Sequence, residues 1–218
     1  MRILVRGLAA AVFSMLAFAC SAQDGSAKYD EGKHYKRVRE AQAPADPKRI
    51  EVAEFFWYGC PHCYAFDPVI DAWAEKRAGD VDFVRYPATL GRPIGVLHAK
   101  AFYTAEALNV FDAVHDAMFA AIHKQGLPLS SEAQIQGLFT NTTGVLPDVF
   151  NATFKGFAVD SRVRKAEQLA QSYGVVSVPT VIVGGKYVTN GTMAGGFEEE
   201  KKVIDFLVEK VRKERAGG

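Results

Sequence analysis

The spacing of apolar residues along the chain changes from strand-like to helical and back, and that alternation lays out the architecture. After a polar, charged stretch over 23–47, with a candidate edge strand at 34–38, residues 50–58 form a β-branched and aromatic run interrupted by Glu51 and Glu54. This is the pattern of a central strand. From 64 to 78 the period becomes helical, with Tyr64, Phe66, Val69, Ile70 and Trp73 inward and Asp71, Glu75, Lys76 and Arg77 outward. Pro68 is expected to kink this helix. Residues 81–86 then alternate as a strand that ends at Pro87. The β-α-β order favours a parallel pair.

From 93 to 173 only helical periods occur, over 95–108, 110–124, 131–139, 147–157 and 158–173. So long a helical stretch exceeds a simple crossover and reads as an inserted subdomain. Strand pattern returns at 175–183, with Pro179 inside it. Gly184-Gly185 fits a two-residue hairpin into 186–188. Residues 196–215 close the chain as an amphipathic helix whose inner face is Phe197, Val203, Ile204, Leu207, Val208 and Val211.

The chemistry lies where the central strand gives way to its helix, at Gly59-Cys60-Pro61-His62-Cys63. With Pro61 at the first helical position, Cys60 is the N-cap and Cys63 the third residue. A helix start carries roughly half a positive charge, and the amides of His62 and Cys63 point at the N-cap, so a Cys60 thiolate would be stabilised. Residues three apart share a helix face with Cβ atoms ~5–6 Å apart, so Cys60 and Cys63 can close a disulfide. The same spacing serves as half of a zinc site, but no second ligand pair follows: Cys20 lies in the leader, and His34, His98, His115 and His123 are scattered and are assigned no role. The pair is read as a redox-active dithiol with no metal and no separate cofactor.

Glu54 is out of place in a buried strand, where a carboxylate must be paired, hydrogen-bonded or protonated. Either it reaches solvent from a half-exposed strand, or it is a buried acid that moves protons as thiols are made and broken. Arg85, on the following strand, either approaches Glu54 or snorkels to the sheet edge.

Composition narrows the class. The 218 residues are 49% hydrophobic with a formal charge of +1, enough for a sizeable core and without the basic stripe that nucleic acid requires. Residues 1–22 read as a secretory signal, with Arg2 and Arg6 ahead of a short apolar run. Cleavage after Ala19 or Ala22 gives a soluble exported protein. Acylation of Cys20, in a loosely lipoprotein-like context, would give an anchored one. Without Cys20, a single cysteine pair remains, as suits redox work in an oxidising compartment.

Strand, C-x-x-C, helix, strand, a late proline-led hairpin and a terminal helix together resemble the thioredoxin fold. With the helical insertion, Cys60-Pro61-His62-Cys63, Glu54-Phe55-Phe56 and Gly174-Val175-Val176-Ser177-Val178-Pro179-Thr180, the chain resembles the DsbA family of periplasmic thiol:disulfide interchange proteins. The resemblance implies an α/β protein, a thioredoxin fold with an inserted all-helical subdomain, divided as signal peptide 1–22, polar segment 23–47, thioredoxin-fold part 48–92, helical subdomain 93–173 and second thioredoxin-fold part 174–218. It implies that Cys60 is the nucleophile, Cys63 the buried resolving thiol, and Pro61 and His62 the dipeptide that tunes them. Pro179 would be the cis-proline facing the thiols, with Val178 before it, and Glu54 the buried acid. Arg85 stands where some members have lysine, and a guanidinium cannot trade a proton. The implied activity is donation of the Cys60–Cys63 disulfide to unfolded exported proteins by a monomer that a quinone-linked membrane reoxidase of the DsbB type regenerates. A reductase or isomerase on the same fold, or a non-enzymatic metal- or peptide-binding module, is the alternative.

Overall fold

The computed structural model describes residues 28–44 and 46–217. The leader, its cleavage sites and Cys20 lie outside the described residues. At the centre is β2, Ile50–Phe56, with β3, Val81–Pro87, parallel on one side and β4, Thr180–Val183, antiparallel on the other. β5, Tyr187–Thr189, and the two-residue edge strand β1, Lys36–Arg37, complete a sheet of order β1-β5-β4-β2-β3. The edge strand falls inside the polar segment, where the 34–38 pattern placed it.

The β4–β5 turn shows why two glycines stand together. Gly184 and Gly185 both have positive φ, 60° and 66°, and the Lys186 amide bonds the Val183 carbonyl at 3.1 Å. Both central residues of a two-residue type I′ turn need positive φ. A Cβ at Gly185 would also lie 2.3 Å from the Gln42 carbonyl oxygen.

Two boundaries differ from the sequence pattern. The first helix, α1, runs Pro61–Ala74 with Pro68 inside it and stops short of residue 78. Arg77 folds its guanidinium back onto the carbonyls of Ala74 and Val81 and so closes the helix end. The strand expected at 175–183 begins only at Thr180. Pro179 has no N–H for a ladder, and Val176 is 87% exposed, so its β-branched neighbours belong to a surface loop.

Between β3 and β4 lie five helices: α2, Pro93–Ala107; α3, Phe111–His123; α4, Glu132–Thr143; α5, Pro147–Phe154; and α6, Phe157–Tyr173. A short α7, Gly191–Ala194, precedes α8, Phe197–Ala216. Helices α1 and α8 cover one face of the sheet, burying Phe66, Ile70, Val203, Ile204 and Leu207 against Ile50, Val52, Val181 and Val183. The C-terminal turns of α6 cover the other, with Tyr173 packed on Ala53, Phe55 and Ile182. The core of the insertion, built on Phe102, Met118, Phe119, Phe139 and Phe150, continues without a break into Phe56, Tyr58, Cys60 and Cys63. Each such fully buried large side chain contributes roughly 1.5–3 kcal/mol. The dithiol therefore sits on the seam between the sheet layer and the insertion.

Candidate active site

β2 delivers the motif. Its chain turns at Trp57-Tyr58-Gly59, where the Cys60 amide bonds the Trp57 carbonyl at 2.9 Å. A Cβ at Gly59 would sit 2.3 Å from the Trp57 indole, so any side chain here would have to displace that ring. Cys60 follows as N-cap, extended at φ −93°, ψ 118°, with Pro61 first in the helix. Both cysteines are free thiols; Cys60 keeps 9% exposure and Cys63 none.

The two sulfurs have opposite acidities. The Cys63 thiol, hydrogen-bonded to the Cys60 sulfur, is the main influence that lowers Cys60; the amides of Cys63 and His62 and the His62 charge add to it against burial, bringing Cys60 to about 5. Cys60 closes no cap hydrogen bond of ordinary geometry, so the helix-start amides act on it as oriented dipoles, behind the Cys63 thiol. This reorders the sequence expectation, which put the helix start first, with His62 adding to it, and gave the Cys63 thiol no part in stabilising the anion. Burial, and then the bond to Cys60, drives Cys63 far above the ordinary thiol range.

Val178–Pro179 is a cis peptide bond, and the Cys60 Sγ lies 3.5 Å from the Val178 carbonyl oxygen, which it can reach as a donor only when protonated. Beside them His62, Ser177, Val178, Pro179, Thr192 and Phe197 line a groove of about 350 Å³.

Beneath the thiols lies a buried charge cluster. Glu54 is 1% exposed, on the sheet face that α1 and α8 cover, which removes the half-exposed reading. It pairs in register with Arg85 across β2 and β3, and the Arg85 Nε reaches Glu54 Oε2 at 3.1 Å. Arg85 also contacts Asp67 Oδ1 at 3.4 Å and bonds Asp71, both on α1, so it does not snorkel to the edge. Burial raises Glu54 to about 7; Arg85 opposes the rise, and Asp67 and Asp71 reinforce it.

Of the histidines assigned no role, His98, His115 and His123 converge on the same turn, whereas His34 lies apart from it, against Asp30 and Tyr29. The Trp57 Nε1 donates to His98 Nδ1 at 3.1 Å, and His123 donates to the Tyr58 carbonyl at 2.7 Å while stacking on Tyr64. His115 lies between the Tyr58 hydroxyl and Asp67. One signal was available: His115 and His123 are eight apart, on one face of a predicted helix. Glu200, on α8, went unnoticed within an acidic run. It is fully buried, neither carboxyl oxygen has a partner among the described residues, and burial followed by the field of Glu54 raises it to about 8. Among the described residues no three His, Cys, Asp or Glu side chains gather as a metal cluster would require.

An unequal thiol pair at the first turn of the helix after a central strand, faced by a cis-proline, defines the class: a thiol:disulfide oxidoreductase of thioredoxin fold. The chain is 41% identical over 212 residues to the thiol:disulfide interchange protein DsbA of Pseudomonas aeruginosa PAO1, covering 97% of this chain and 98% of that relative. It is 42% identical over 205 residues to the protein of the same name from Pseudomonas syringae pv. tomato, covering 94% of each. The crystal structure of Pseudomonas aeruginosa DsbA matches at a TM-score of 0.80 and 42% identity, over 85% of this chain and 95% of that one. The model of a DSBA-like thioredoxin domain matches residues 96–201. The chain belongs to the DsbA family of thiol:disulfide interchange proteins. As such it is an enzyme that exchanges disulfides with other proteins. No helix among the described residues is long and apolar enough to cross a membrane.

Proposed function

We propose that the protein is a dithiol oxidase that gives its Cys60–Cys63 disulfide to newly exported, unfolded chains in the periplasm. A substrate thiolate attacks the Cys60 sulfur, the Cys60–Cys63 bond breaks, and Cys63 leaves and takes up a proton. A second substrate thiolate then attacks the substrate sulfur of the mixed disulfide, and Cys60 leaves as thiolate. The substrate loses two electrons and gains a disulfide; the enzyme holds both electrons in its dithiol and needs no other cofactor.

What carries the reading is the inequality of the sulfurs. Cys60 keeps a 9% exposure that Cys63 lacks and favours the anion, which makes it both the more accessible target and the better leaving group, whereas Cys63 is fully buried and favours the thiol. Each unit by which the Cys60 pKa falls favours the reduced enzyme by ~1.4 kcal/mol, which makes the oxidised enzyme a stronger oxidant. Pro61 and His62 set this environment, Val178 and Pro179 offer backbone and a groove to the incoming chain, and Glu54 is the acid that serves Cys63. The enzyme acts as a monomer, and a quinone-linked membrane protein of the DsbB type takes its electrons.

Equilibration with glutathione tests the direction of transfer. The oxidase reading expects the enzyme to stay reduced at glutathione ratios where a thioredoxin-like reductase is already oxidised. An enzyme that is oxidised under those conditions is a reductase, and the proposal fails.

A further inference from the structure

His115 belongs to α3, in the helical insertion, yet it is buried beneath the turn that carries the dithiol. Its Nδ1 lies 2.8 Å from the Tyr58 hydroxyl and its Nε2 2.9 Å from Asp67 Oδ1. A carboxylate can only accept, so in the neutral ring Nε2 carries the proton and donates to Asp67, and Nδ1 accepts from Tyr58. The same Asp67 oxygen faces Arg85, whose Nε holds Glu54 at 3.1 Å and whose terminal nitrogen also bonds Asp71. One continuous chain of contacts thus runs from the insertion to the acid below Cys63. The rings of Phe56, Phe111 and Phe119 pack on the imidazole at centroid distances of 5.6, 4.8 and 5.1 Å, so it cannot swing aside without opening the core.

Three carboxylates compete for one guanidinium in this cluster. Asp67 is the carboxylate with a second donor from elsewhere in the fold, and that donor is His115. We propose that His115 is a positioning residue for the reaction: by partly satisfying Asp67 it leaves Arg85 seated on Glu54, and so the helical insertion sets the charge of the acid that serves Cys63. This rests on the role given to Glu54 above. Without the imidazole N–H, Asp67 and Asp71 on α1 draw Arg85 of β3 away from Glu54 of β2, and Glu54 holds its proton to higher pH. Glu200 of α8 adds its field to the same site once ionised.

The test is a carboxyl-carbon NMR titration of Glu54 in the full chain, with disulfide-transfer rate followed over the same pH range. His115→Phe keeps the aromatic packing and removes both hydrogen bonds; His115→Gln keeps a donor for Asp67 and an acceptor for Tyr58. In His115→Phe the Glu54 midpoint is expected to rise by about one pH unit, the low end of what a displaced neighbouring charge produces, with the rate profile following it and His115→Gln returning both toward wild type. Tyr58→Phe removes only the outer bond and gives a smaller shift in the same direction, which decides the matter if His115→Phe does not fold. A fall in thermal stability with an unmoved Glu54 midpoint means that His115 is merely structural and overturns the inference. A wild-type Glu54 that shows no raised midpoint overturns instead the role given to Glu54.

Discussion

Glu54 and Arg85 are register partners across a parallel strand pair, and their side chains meet at 3.1 Å in the interior. The ion pair does not fully offset burial, because Asp67 and Asp71 share the same cation and push Glu54 upward, to about 7. A carboxyl whose folded pKa lies above its unfolded value costs stability above the unfolded value, and the cost grows until the folded pKa is passed. Glu54→Gln is therefore expected to be more stable relative to wild type at pH 8 than at pH 4, by up to about 3 kcal/mol if the whole rise is relieved. Urea unfolding at the two pH values measures it. A gain equal at both pH values would mean that Glu54 is not titrating with a raised pKa.

The Cys60 thiolate depends first on Cys63 and only then on the helix start. Cys63→Ala removes the thiol donor and leaves the amides in place, so the ultraviolet thiolate absorbance of Cys60, expected to titrate near pH 5 in the reduced wild type, should move up by at least about one unit. Cys63→Ser keeps a donor and should fall between the two. If alanine leaves the midpoint unmoved, the helix start alone accounts for the anion.

The same acidity fixes how the reduction potential varies with pH. Below about pH 5 the dithiol takes up two electrons and two protons, but above it Cys60 stays ionised while Cys63 holds its proton. The potential is expected to fall by about 59 mV per pH unit below the break and about 30 mV above it. An ordinary dithiol would keep the steeper slope to near pH 9. Stability follows the same linkage: because the folded pKa of Cys60 is depressed and that of Cys63 raised, the advantage of the reduced protein over the oxidised one is greatest near the ordinary thiol value of 9.0, declines above it as Cys63 ionises only in the unfolded chain, and fades as pH falls through 5. Glutathione equilibria and thermal melts of both redox forms, from pH 4 to 9, check both statements.

The parts of the molecule with a local signature were legible in the sequence. The period of apolar residues gave the strands and helices, paired glycines gave the hairpin, and Cys60-Pro61-His62-Cys63 gave the start of α1 at Pro61. What spacing could not convey was which polar side chains meet. Glu54 is followed 31 residues later by Arg85, and nothing local distinguishes Arg85 from a surface cation until the parallel register places them side by side. Tyr58 and His115 are 57 residues apart, and their contact exists only because α3 packs beneath the turn after β2. The end of α1 also differs from the apolar pattern: the return of the Arg77 guanidinium onto Ala74, three residues back, is a local side-chain arrangement that apolar spacing does not register.

Glu200 makes the sharpest case for a contact that sequence conceals. It stands in Phe197-Glu198-Glu199-Glu200-Lys201-Lys202, where an exposed acidic first turn is the natural reading, since negative charge there suits the helix dipole. Glu198 and Glu199 fit that reading through ion pairs with Lys201 and Lys202, three residues on. Glu200 instead turns inward, fully buried, its carboxyl without a hydrogen-bond partner among the described residues and within the field of Glu54. With a folded pKa raised to about 8, it is a neutral acid at pH 7, and its cost to the fold grows from its ordinary value of 4.5 up to 8. Glu200→Gln keeps shape and neutrality, so the variant should match wild type near pH 4, gain in melting temperature as pH rises to 8, and gain no more beyond it. Glu200→Lys would place an unpaired cation in the same apolar site and should unfold at markedly lower temperature at every pH below its own titration. A Glu200→Gln advantage already complete at pH 4 would show that the carboxyl is misplaced for reasons other than its charge.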